Sequence, residues 1–295
     1  MSDFSQRFLF SDSDIRGEFV SLTTTIDQVL AKHAYPDVVT QLLGELLAAA
    51  SLLIGTLKFE GLLVLQARSS GPVSLVMVEC SNKGELRGIA KYKTDQLEDH
   101  TSLPSLMPDG VLAMTIDPTK GQRYQGIVAL DQDSLADCLS SYFATSEQLP
   151  TKFWLSADNK TARGFLLQQL PANRILDLQE REESWQHVIA LANTLSCDEL
   201  KLLDNQALLH RLYHEDTLTL FDPSKLYFNC SCSRERSAKA ILALGQKEAK
   251  QILAEEQGKI QVDCQFCNQL YAFDDNDIAQ LFLGGGIDSP SQATH

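Results

Sequence analysis

The chain has 295 residues, of which 44% are apolar, and a formal net charge of −14 at pH 7. This length suits one large domain with a smaller appendage, or two domains, and the composition is that of an ordinary globular protein. The acidic balance repels nucleic acids and anionic membranes as a whole-protein effect.

The N-terminal segment has no charged region followed by an apolar one, so the sequence shows no export signal. The longest apolar stretch, residues 42–57, is interrupted by Gly44, Glu45, Ser51 and Gly55, and we expect it to be too broken to span a bilayer. We therefore expect a reducing, cytoplasmic setting. In that setting clustered cysteines bind metal or undergo redox chemistry more often than they form a stable disulfide framework.

Strand patterns dominate the first 170 residues. Short apolar runs separated by Gly, Pro, Asn and Asp predict strands at 7–10, 18–25, 62–66, 73–78, 86–92, 111–116, 126–130, 152–155 and 164–170. Apolar residues at helical spacing predict helices at 38–57 and at 134–143, the second capped by Ser134. The segment Asp14-Ile15-Arg16-Gly17 is interpreted as a salt-bridged turn. Hairpin-length spacings favour an α+β fold with a largely antiparallel sheet.

Helical patterns replace strands after Pro171. Amphipathic helices are predicted at 180–195 and 198–213, and we expect this segment to be a weakly stable clamp whose apolar face needs a partner surface. Its candidate client-binding residues are Trp185, Val188, Ile189, Leu195, Leu208, Leu209 and Leu212. Two helices divided at Gly245 are predicted within 233–256, and short strands at 259–262 and 270–273. The predicted organisation is a core domain over 1–174, a helical linker over 175–225, a C-terminal module over 226–283 and a disordered tail over 284–295.

Four cysteines in this last module form the most informative motif. Cys230 and Cys232 make a CxC pair, and Cys264 and Cys267 make a CxxC pair between the two predicted strands. Two such pairs supply the four thiolates of a closed tetrahedral zinc site, so we predict one Zn²⁺ held by these residues. Structural zinc contributes about 10–16 kcal/mol to folding, whereas a disulfide that closes a loop of three or four residues contributes about 2 kcal/mol. Oxidation of the site should therefore unfold more than it cross-links.

The four-cysteine motif alone is compatible with two functions of the site. The site could hold zinc as an inert structural element, or it could act as a redox switch, which the short CxC spacing favours. Between residues 225 and 259 the chain carries seven Lys and Arg against four Glu. These cations could favour thiolates, or they could form an ordinary solvated helix face.

The other chemically reactive residues have ordinary interpretations. Cys80 and Cys138 lie in apolar contexts typical of buried core cysteines, and Cys197 lies at a predicted helix start. No Gly-x-Ser-x-Gly or phosphate-binding GxxxxGK[ST] motif occurs, so we expect neither an active site nor ATP hydrolysis.

These motifs together resemble a known family. The CxC and CxxC pairs, the segment from Ile260 to Phe273 that flanks the CxxC pair, the Asp14–Gly17 segment and the run from Leu57 to Gly61 are similar to those of the redox-regulated 33 kDa chaperonins. The resemblance extends along nearly the whole chain. It implies a cytoplasmic, ATP-independent holdase that is inactive when reduced and zinc-bound.

The resemblance also implies how such a protein is activated. Peroxide with mild heat, or hypochlorous acid, forms the disulfides Cys230–Cys232 and Cys264–Cys267 and expels the zinc. The helical linker then unfolds and binds unfolding client proteins, and the active form tends to form a homodimer, with no specific nucleic acid or membrane as partner.

Two other classes of protein remain open from the sequence. A zinc-ribbon nucleic-acid-binding protein fits the local basic stretch but not the acidic balance. A thiol–disulfide oxidoreductase would place its CxxC at a helix N-terminus after a strand, rather than between two strands.

Overall fold

The apolar runs of the first part of the chain form strands that pair into two sheets. In this computed structural model residues 3–57, 59–97 and 102–284 are described, and the chain divides into two compact units between Asn229 and Cys230. The finer predicted boundaries at residues 175 and 226 stay predictions. The tail predicted over 284–295 lies, beyond Gly284, outside the described residues.

The predicted strands and helices of the first unit occur in the predicted order, and α1 (Thr24–Leu30), α3 (Leu103–Leu106), β10 (Leu218–Leu220), β11 (Ser224–Lys225) and β12 (Tyr227–Phe228) are elements that the sequence did not predict. Its strands are β1 (Phe4–Phe10), β2 (Ile15–Leu22), β3 (Gly61–Arg68), β4 (Val73–Ser81), β5 (Glu85–Tyr92), β6 (Val111–Pro118), β7 (Tyr124–Ala129), β8 (Thr151–Ala157), β9 (Ala162–Gln169), β10 (Leu218–Leu220), β11 (Ser224–Lys225) and β12 (Tyr227–Phe228). Its helices are α1 (Thr24–Leu30), α2 (Asp37–Thr56), α3 (Leu103–Leu106), α4 (Leu135–Thr145), α5 (Leu178–Ala192), α6 (Cys197–Leu202) and α7 (Asn205–Tyr213). The predicted cap is confirmed, because the Ser134 hydroxyl accepts the N–H of Asp137 at 3.1 Å.

Antiparallel pairing dominates both sheets, as the hairpin spacings predict. The first sheet has the strand order β10-β1-β2-β9-β8, with β11 also pairing with β1, and the second has the order β12-β5-β4-β3-β6-β7. Only the two-residue contact between β12 and β5 is parallel among the pairs described. The predicted α+β class with a largely antiparallel N-terminal domain is confirmed.

Helix α2 forms the centre of the larger core. Its buried residues pack with side chains from both sheets, and thirteen of its positions are buried, which explains the long apolar run in the sequence. Among the described residues, α2 is the one helix long and apolar enough to cross a membrane by length and composition, but 72% of that window is buried inside the fold. The core helix of a soluble protein has the same properties.

Helices α5, α6 and α7 cover an aromatic surface of the first sheet. Phe8, Phe19 and Phe165 stack there with ring centroids 4.7–6.0 Å apart. Gly17 is the cross-strand neighbour of Phe8, and a Cβ at Gly17 would lie 2.0 Å from the Phe8 ring, so the ring packs directly over the bare backbone. This packing explains the glycine of the Asp14–Gly17 segment.

Three sequence predictions in this unit are wrong. Strand 18–25 ends at Leu22, and the residues after Thr23 begin helix α1. The helix predicted over 198–213 is two helices, because Leu203 adopts an extended conformation and Asp204 caps a new helix. In addition, residues 15–17 belong to strand β2, and Asp14 pairs with Arg181 rather than with Arg16.

The second unit is small and carries its own core. It contains α8 (Arg234–Leu244), α9 (Gln246–Glu255), β13 (Lys259–Asp263), β14 (Leu270–Asp274) and α10 (Asp275–Gly284), and α10 was not predicted from the sequence. The two strands form an antiparallel hairpin. The buried core consists of Ile241, Ala249, Leu253, Ile260, Phe273 and Ile278.

Candidate metal centre

The CxxC pair lies in the turn of the hairpin, as predicted. Pairing of β13 with β14 ends at Asp263 and Leu270, and Cys264 N–H donates to the carbonyl of Gln269 at 2.9 Å. Asn268 has a φ of +60°, a left-handed conformation that asparagine tolerates better than most residues. Backbone N–H groups of Cys267 and Phe266 donate to the Cys264 sulfur, and that of Gln269 to the Cys267 sulfur. The turn therefore directs both sulfurs towards one point.

The CxC pair is fixed by the start of helix α8. Ser233 caps that helix by accepting the N–H of Arg236 at 3.2 Å. The Arg236 guanidinium donates to the carbonyl and the hydroxyl of Ser231 at 2.9 and 2.6 Å. Because Ser231 is the residue between Cys230 and Cys232, these bonds restrict the loop that presents the two sulfurs.

The four sulfur atoms form one compact cluster. All lie within 4.8 Å of one another, and each cysteine is half-buried. The Cys230 and Cys264 sulfurs are 3.6 Å apart, and those of Cys232 and Cys267 are 3.4 Å apart. A tetrahedral Zn²⁺ with bonds of about 2.3 Å separates its thiolates by about 3.8 Å, so the donor set and its spacing fit this metal. A covalent disulfide requires about 2.05 Å, so these cysteines are free thiols.

The thiols of the CxxC pair are hard to ionise without a cation. Burial raises the pKa of Cys264, against the hydrogen bonds that its sulfur accepts. Burial and the nearby sulfurs of Cys232, Cys230 and Cys264 raise the pKa of Cys267. A metal ion binds thiolates and must displace these protons, so metal affinity falls as the pH falls.

Tyr271 is a site residue that the sequence reasoning missed. Its hydroxyl donates to the Cys232 sulfur at 3.3 Å, and this hydrogen bond is the main reason that the pKa of Tyr271 is raised to about 12. Tyr271 lies on β14, four residues after Cys267. A tyrosine one strand position beyond a CxxC turn is the signal that could have indicated it.

Arg234, two residues after the CxC pair, connects three elements of the second unit. Arg234 donates to the carbonyl of Ala272 at 2.6 Å and to Asp277 at 2.7 Å, and its guanidinium lies 4.3 Å from the centre of the Phe273 ring. These contacts link α8 to β14 and α10. Part of the local basic stretch thus holds the small unit together.

The remaining cysteines lie apart from this cluster. Cys80 is buried in β4 and Cys138 is buried in α4, which confirms their interpretation as core residues. Burial raises the pKa of both thiols. Cys197 is exposed at the first position of α6, as the predicted helix start requires.

The candidate client-binding residues lie against the aromatic surface of the first sheet. Five of them are buried, and Ile189 and Leu195 are partly buried against the same cluster. Their partners there include Phe8, Phe10 and Phe165. The structure brings the seven residues together on one surface, and their role in client binding stays a prediction.

The fold and the site define an α+β protein whose separate C-terminal unit carries a four-cysteine centre of the metal-binding type. A family model described as Hsp33 protein matches residues 3–274. The chain is 63% identical over 295 residues to a 33 kDa chaperonin of Ectopseudomonas mendocina (strain ymp), with 100% of both chains covered. The chain belongs to the Hsp33 family of chaperones.

Further relatives agree with this assignment. A 33 kDa chaperonin of Pseudomonas aeruginosa (strain LESB58) is 60% identical over 294 residues, covering 100% of this chain and 99% of the relative. The crystal structure of a 33 kDa chaperonin (heat shock protein 33 homolog) from Thermotoga maritima has a TM-score of 0.81 at 24% identity, covering 95% of this chain and 98% of the other. At that identity the likeness shows the fold.

Proposed function

We propose that the chain is a redox-regulated, ATP-independent holdase that is inactive when reduced and zinc-bound. The observation that carries this proposal is the cluster of four free thiols in a small unit of its own. Cys230, Cys232, Cys264 and Cys267 would hold one Zn²⁺, which supplies a tetrahedral cross-link between the start of α8 and the β13–β14 hairpin. We propose no catalytic activity, and place the protein in the cytoplasm.

Oxidation removes the ligands of the metal. Each cysteine pair transfers two electrons to peroxide or hypochlorous acid and forms one disulfide, which no longer provides two thiolates. We propose the pairs Cys230–Cys232 and Cys264–Cys267. All four sulfurs are close enough for other pairings, but only partners within one motif stay close in the chain when the unit loosens.

The energetics favour unfolding of the second unit on oxidation. Its core consists of a few apolar side chains, and a unit this small has little stability of its own. Loss of zinc removes about 10–16 kcal/mol of folding free energy from the unit, whereas each short disulfide restores about 2 kcal/mol of it. A whole domain is stable against unfolding by only about 5–15 kcal/mol, so the second unit is expected to unfold once the zinc contribution is lost.

Release of α5, α6 and α7 would then create the client-binding surface. The chain after α7 runs through β10, β11 and β12 to Cys230, so unfolding that begins in the second unit must detach these strands of three, two and two residues before it reaches the helices. Helices of this length are marginal alone and depend on the aromatic surface they cover. Their release exposes both faces, including Trp185 and Leu212, to unfolding proteins. We propose a homodimer for the active form, as the family resemblance implies.

The test is suppression of client aggregation by the purified protein. We expect the oxidised protein to prevent aggregation of a chemically unfolded client without ATP, and the reduced, zinc-bound protein to have no effect. Equal activity of the two forms would contradict the proposal.

A matched pair of variants tests the client-binding role. Leu212 is 3% exposed on the proposed surface, and Leu202 is 81% exposed outside it. In the oxidised state Leu212→Ser should weaken aggregation suppression, and Leu202→Ser should leave it unchanged. The same activity in both variants would remove Leu212 from the client-binding surface.

A further inference from the structure

The first unit contains a cavity of about 620 Å³ that the proposed chaperone function does not use. It lies beside β1 and β2, opens to solvent, and is bordered by the end of α2, the β4–β5 turn and the segment 221–226. Small-molecule sites in proteins have volumes of about 300–1,000 Å³ and combine apolar walls with a few polar groups. Here the apolar wall includes Ile54, Leu57, Phe59, Phe221 and Leu226.

Arg7 places in this cavity a cation whose neighbouring acid, Glu18, forms no ion pair with it within 4 Å. Its Nε is buried and has no hydrogen-bond partner, and Arg7 makes no ion pair within 4 Å among the described residues. The guanidinium lies 4.4 Å from the centre of the Phe221 ring, which fixes its plane. A buried N–H without an acceptor is costly and rare, so it marks a place where an acceptor is missing.

Glu18, the acid nearest to Arg7 in the sheet register, does not accept a hydrogen bond from the Arg7 Nε. It is the cross-strand partner of Arg7 and only 4% exposed. Burial raises the pKa of Glu18 to about 7, against the opposing effects of Arg7, a hydrogen bond from Ser5, and Arg16. Near pH 7 the Glu18 carboxyl is therefore about half protonated, and its protonated form can donate a hydrogen bond.

The remaining charged residues of the cavity wall are two lysines and one aspartate. Lys83 in the β4–β5 turn and Lys225 in β11 line it, together with one further acid, Asp222. Arg16 donates to the Gln168 side chain at 3.0 and 2.5 Å and so is engaged elsewhere. In a chain with a net charge of −14, this cavity sets Arg7, Lys83 and Lys225 against Asp222 and a partly neutral Glu18, so it is a local site for an anion.

We propose that this cavity binds a small organic anion, with its phosphate or carboxylate group on Arg7 and an apolar body against Phe221 and Phe59. A planar guanidinium pairs with either oxyanion through two parallel hydrogen bonds. Lys83 and Lys225 then contribute charge at the rim, where the longer reach of lysine suffices. The segment 221–226 would be held from both sides, by β1 through β11 and by the bound molecule.

Binding of model anions to the full-length reduced protein tests this proposal. The probes are phenyl phosphate, benzoate, inorganic phosphate and benzyl alcohol, measured by calorimetry and by the shift in melting temperature. We expect phenyl phosphate or benzoate to bind, inorganic phosphate to bind more weakly, and benzyl alcohol not to bind. A ligand that binds only the folded state raises the melting temperature.

Variants distinguish this cavity from non-specific binding. Arg7→Gln should lower the affinity for the best-binding probe by at least about tenfold, because a charge-assisted hydrogen-bonded pair is lost. Glu18→Gln should retain binding, and Arg123→Gln, an exposed arginine outside the cavity, serves as the matched control. Phe221→Leu should weaken the binding of phenyl phosphate but not that of inorganic phosphate. This variant still tests the proposal if Arg7→Gln folds poorly.

Two outcomes would overturn the proposal. One is that no anionic probe binds the wild-type protein at millimolar concentration. The other is that Arg7→Gln and Phe221→Leu, shown to be folded by circular dichroism, bind the best probe as tightly as Arg123→Gln does. Equal binding of inorganic phosphate and phenyl phosphate would refute the role of the apolar wall.

Discussion

Asp14 is expected to hold the start of helix α5 on the first sheet. Its carboxylate accepts the backbone N–H groups of Asn173, Arg174 and Ile175 at 2.9–3.2 Å, and Arg181 donates to it at 2.9 Å. These donors lie where the core domain gives way to the predicted linker. The substitution Asp14→Asn keeps the size and one acceptor oxygen but removes the charge.

The magnitude follows from burial of this pair. The side chains of Asp14 and Arg181 are 6% and 12% exposed. Removing one partner of a buried ion pair costs about 3–5 kcal/mol, because the other charge stays buried. Arg181 also donates to the carbonyl of Leu170 at 2.7 Å, so we expect the low end, about 3 kcal/mol. That corresponds to a population of detached α5 about 100-fold higher.

Hydrogen exchange and urea unfolding of the reduced protein measure this effect. Amides of α5 should exchange about 100-fold faster in Asp14→Asn, and the reduced variant should gain part of the oxidised protein's chaperone activity. Asp158→Asn is the matched control, since Asp158 accepts the N–H groups of Lys160 and Thr161 in the β8–β9 turn. Unchanged exchange in α5, or an equal effect of both variants on α5, would refute the reasoning.

The same carboxylate predicts a pH dependence. Burial acts to raise the pKa of Asp14, but the backbone hydrogen bonds and Arg181 outweigh it, so the pKa is lowered. Because the folded-state pKa lies below the unfolded one, the stabilisation is present above about pH 4 and is lost as the pH falls through the folded-state pKa. Docking of α5 should therefore weaken in acid below about pH 4, and Asp14→Asn should lack this dependence.

Three further predictions concern the cysteines and their surroundings. Cys267→Ser should lower zinc affinity by more than about 100-fold in a chelator competition, and retention of wild-type affinity would contradict the ligand set. Tyr271→Phe should lower zinc affinity by about tenfold and speed zinc release by peroxide; an unchanged release rate would show that its hydrogen bond to sulfur has no such role. A triple alanine variant should still release zinc and gain activity on oxidation, and failure to do so would contradict the dispensability of Cys80, Cys138 and Cys197.

Local patterns predicted most of the strands and the central helix, but not the elements that depend on distant residues. The segment after Thr23 is rich in β-branched residues and reads as strand. It becomes helix α1 because the Asp3 carboxylate accepts the N–H groups of Thr23, Thr24 and Thr25 at 2.5–3.1 Å, satisfying the free donors of the first turn. A cap supplied from twenty residues away leaves no local signal.

The break in the second linker helix did have a local signal. Asp204 accepts the N–H of Ala207 at 2.8 Å, which is the standard N-cap bond, and an aspartate in a helical pattern can mark a new start. The apolar spacing continues across the break, and periodicity alone therefore predicted one helix.

The metal-type site was predictable because its ligands are four residues of one rare type in two short motifs. The hydrogen bonds around it depend on pairing of β13 with β14 and on the start of α8, so Tyr271 and Arg236 emerged only from the structure. The same holds for the cavity around Arg7, whose wall comes from segments more than 200 residues apart in the chain.

Hydrogen exchange of α5, α6 and α7, compared between the reduced, zinc-bound protein and the oxidised, zinc-free protein, tests the central claim most directly. The account predicts that these helices lose protection on oxidation while the core around α2 keeps it. Equal protection of the three helices in both states would contradict it.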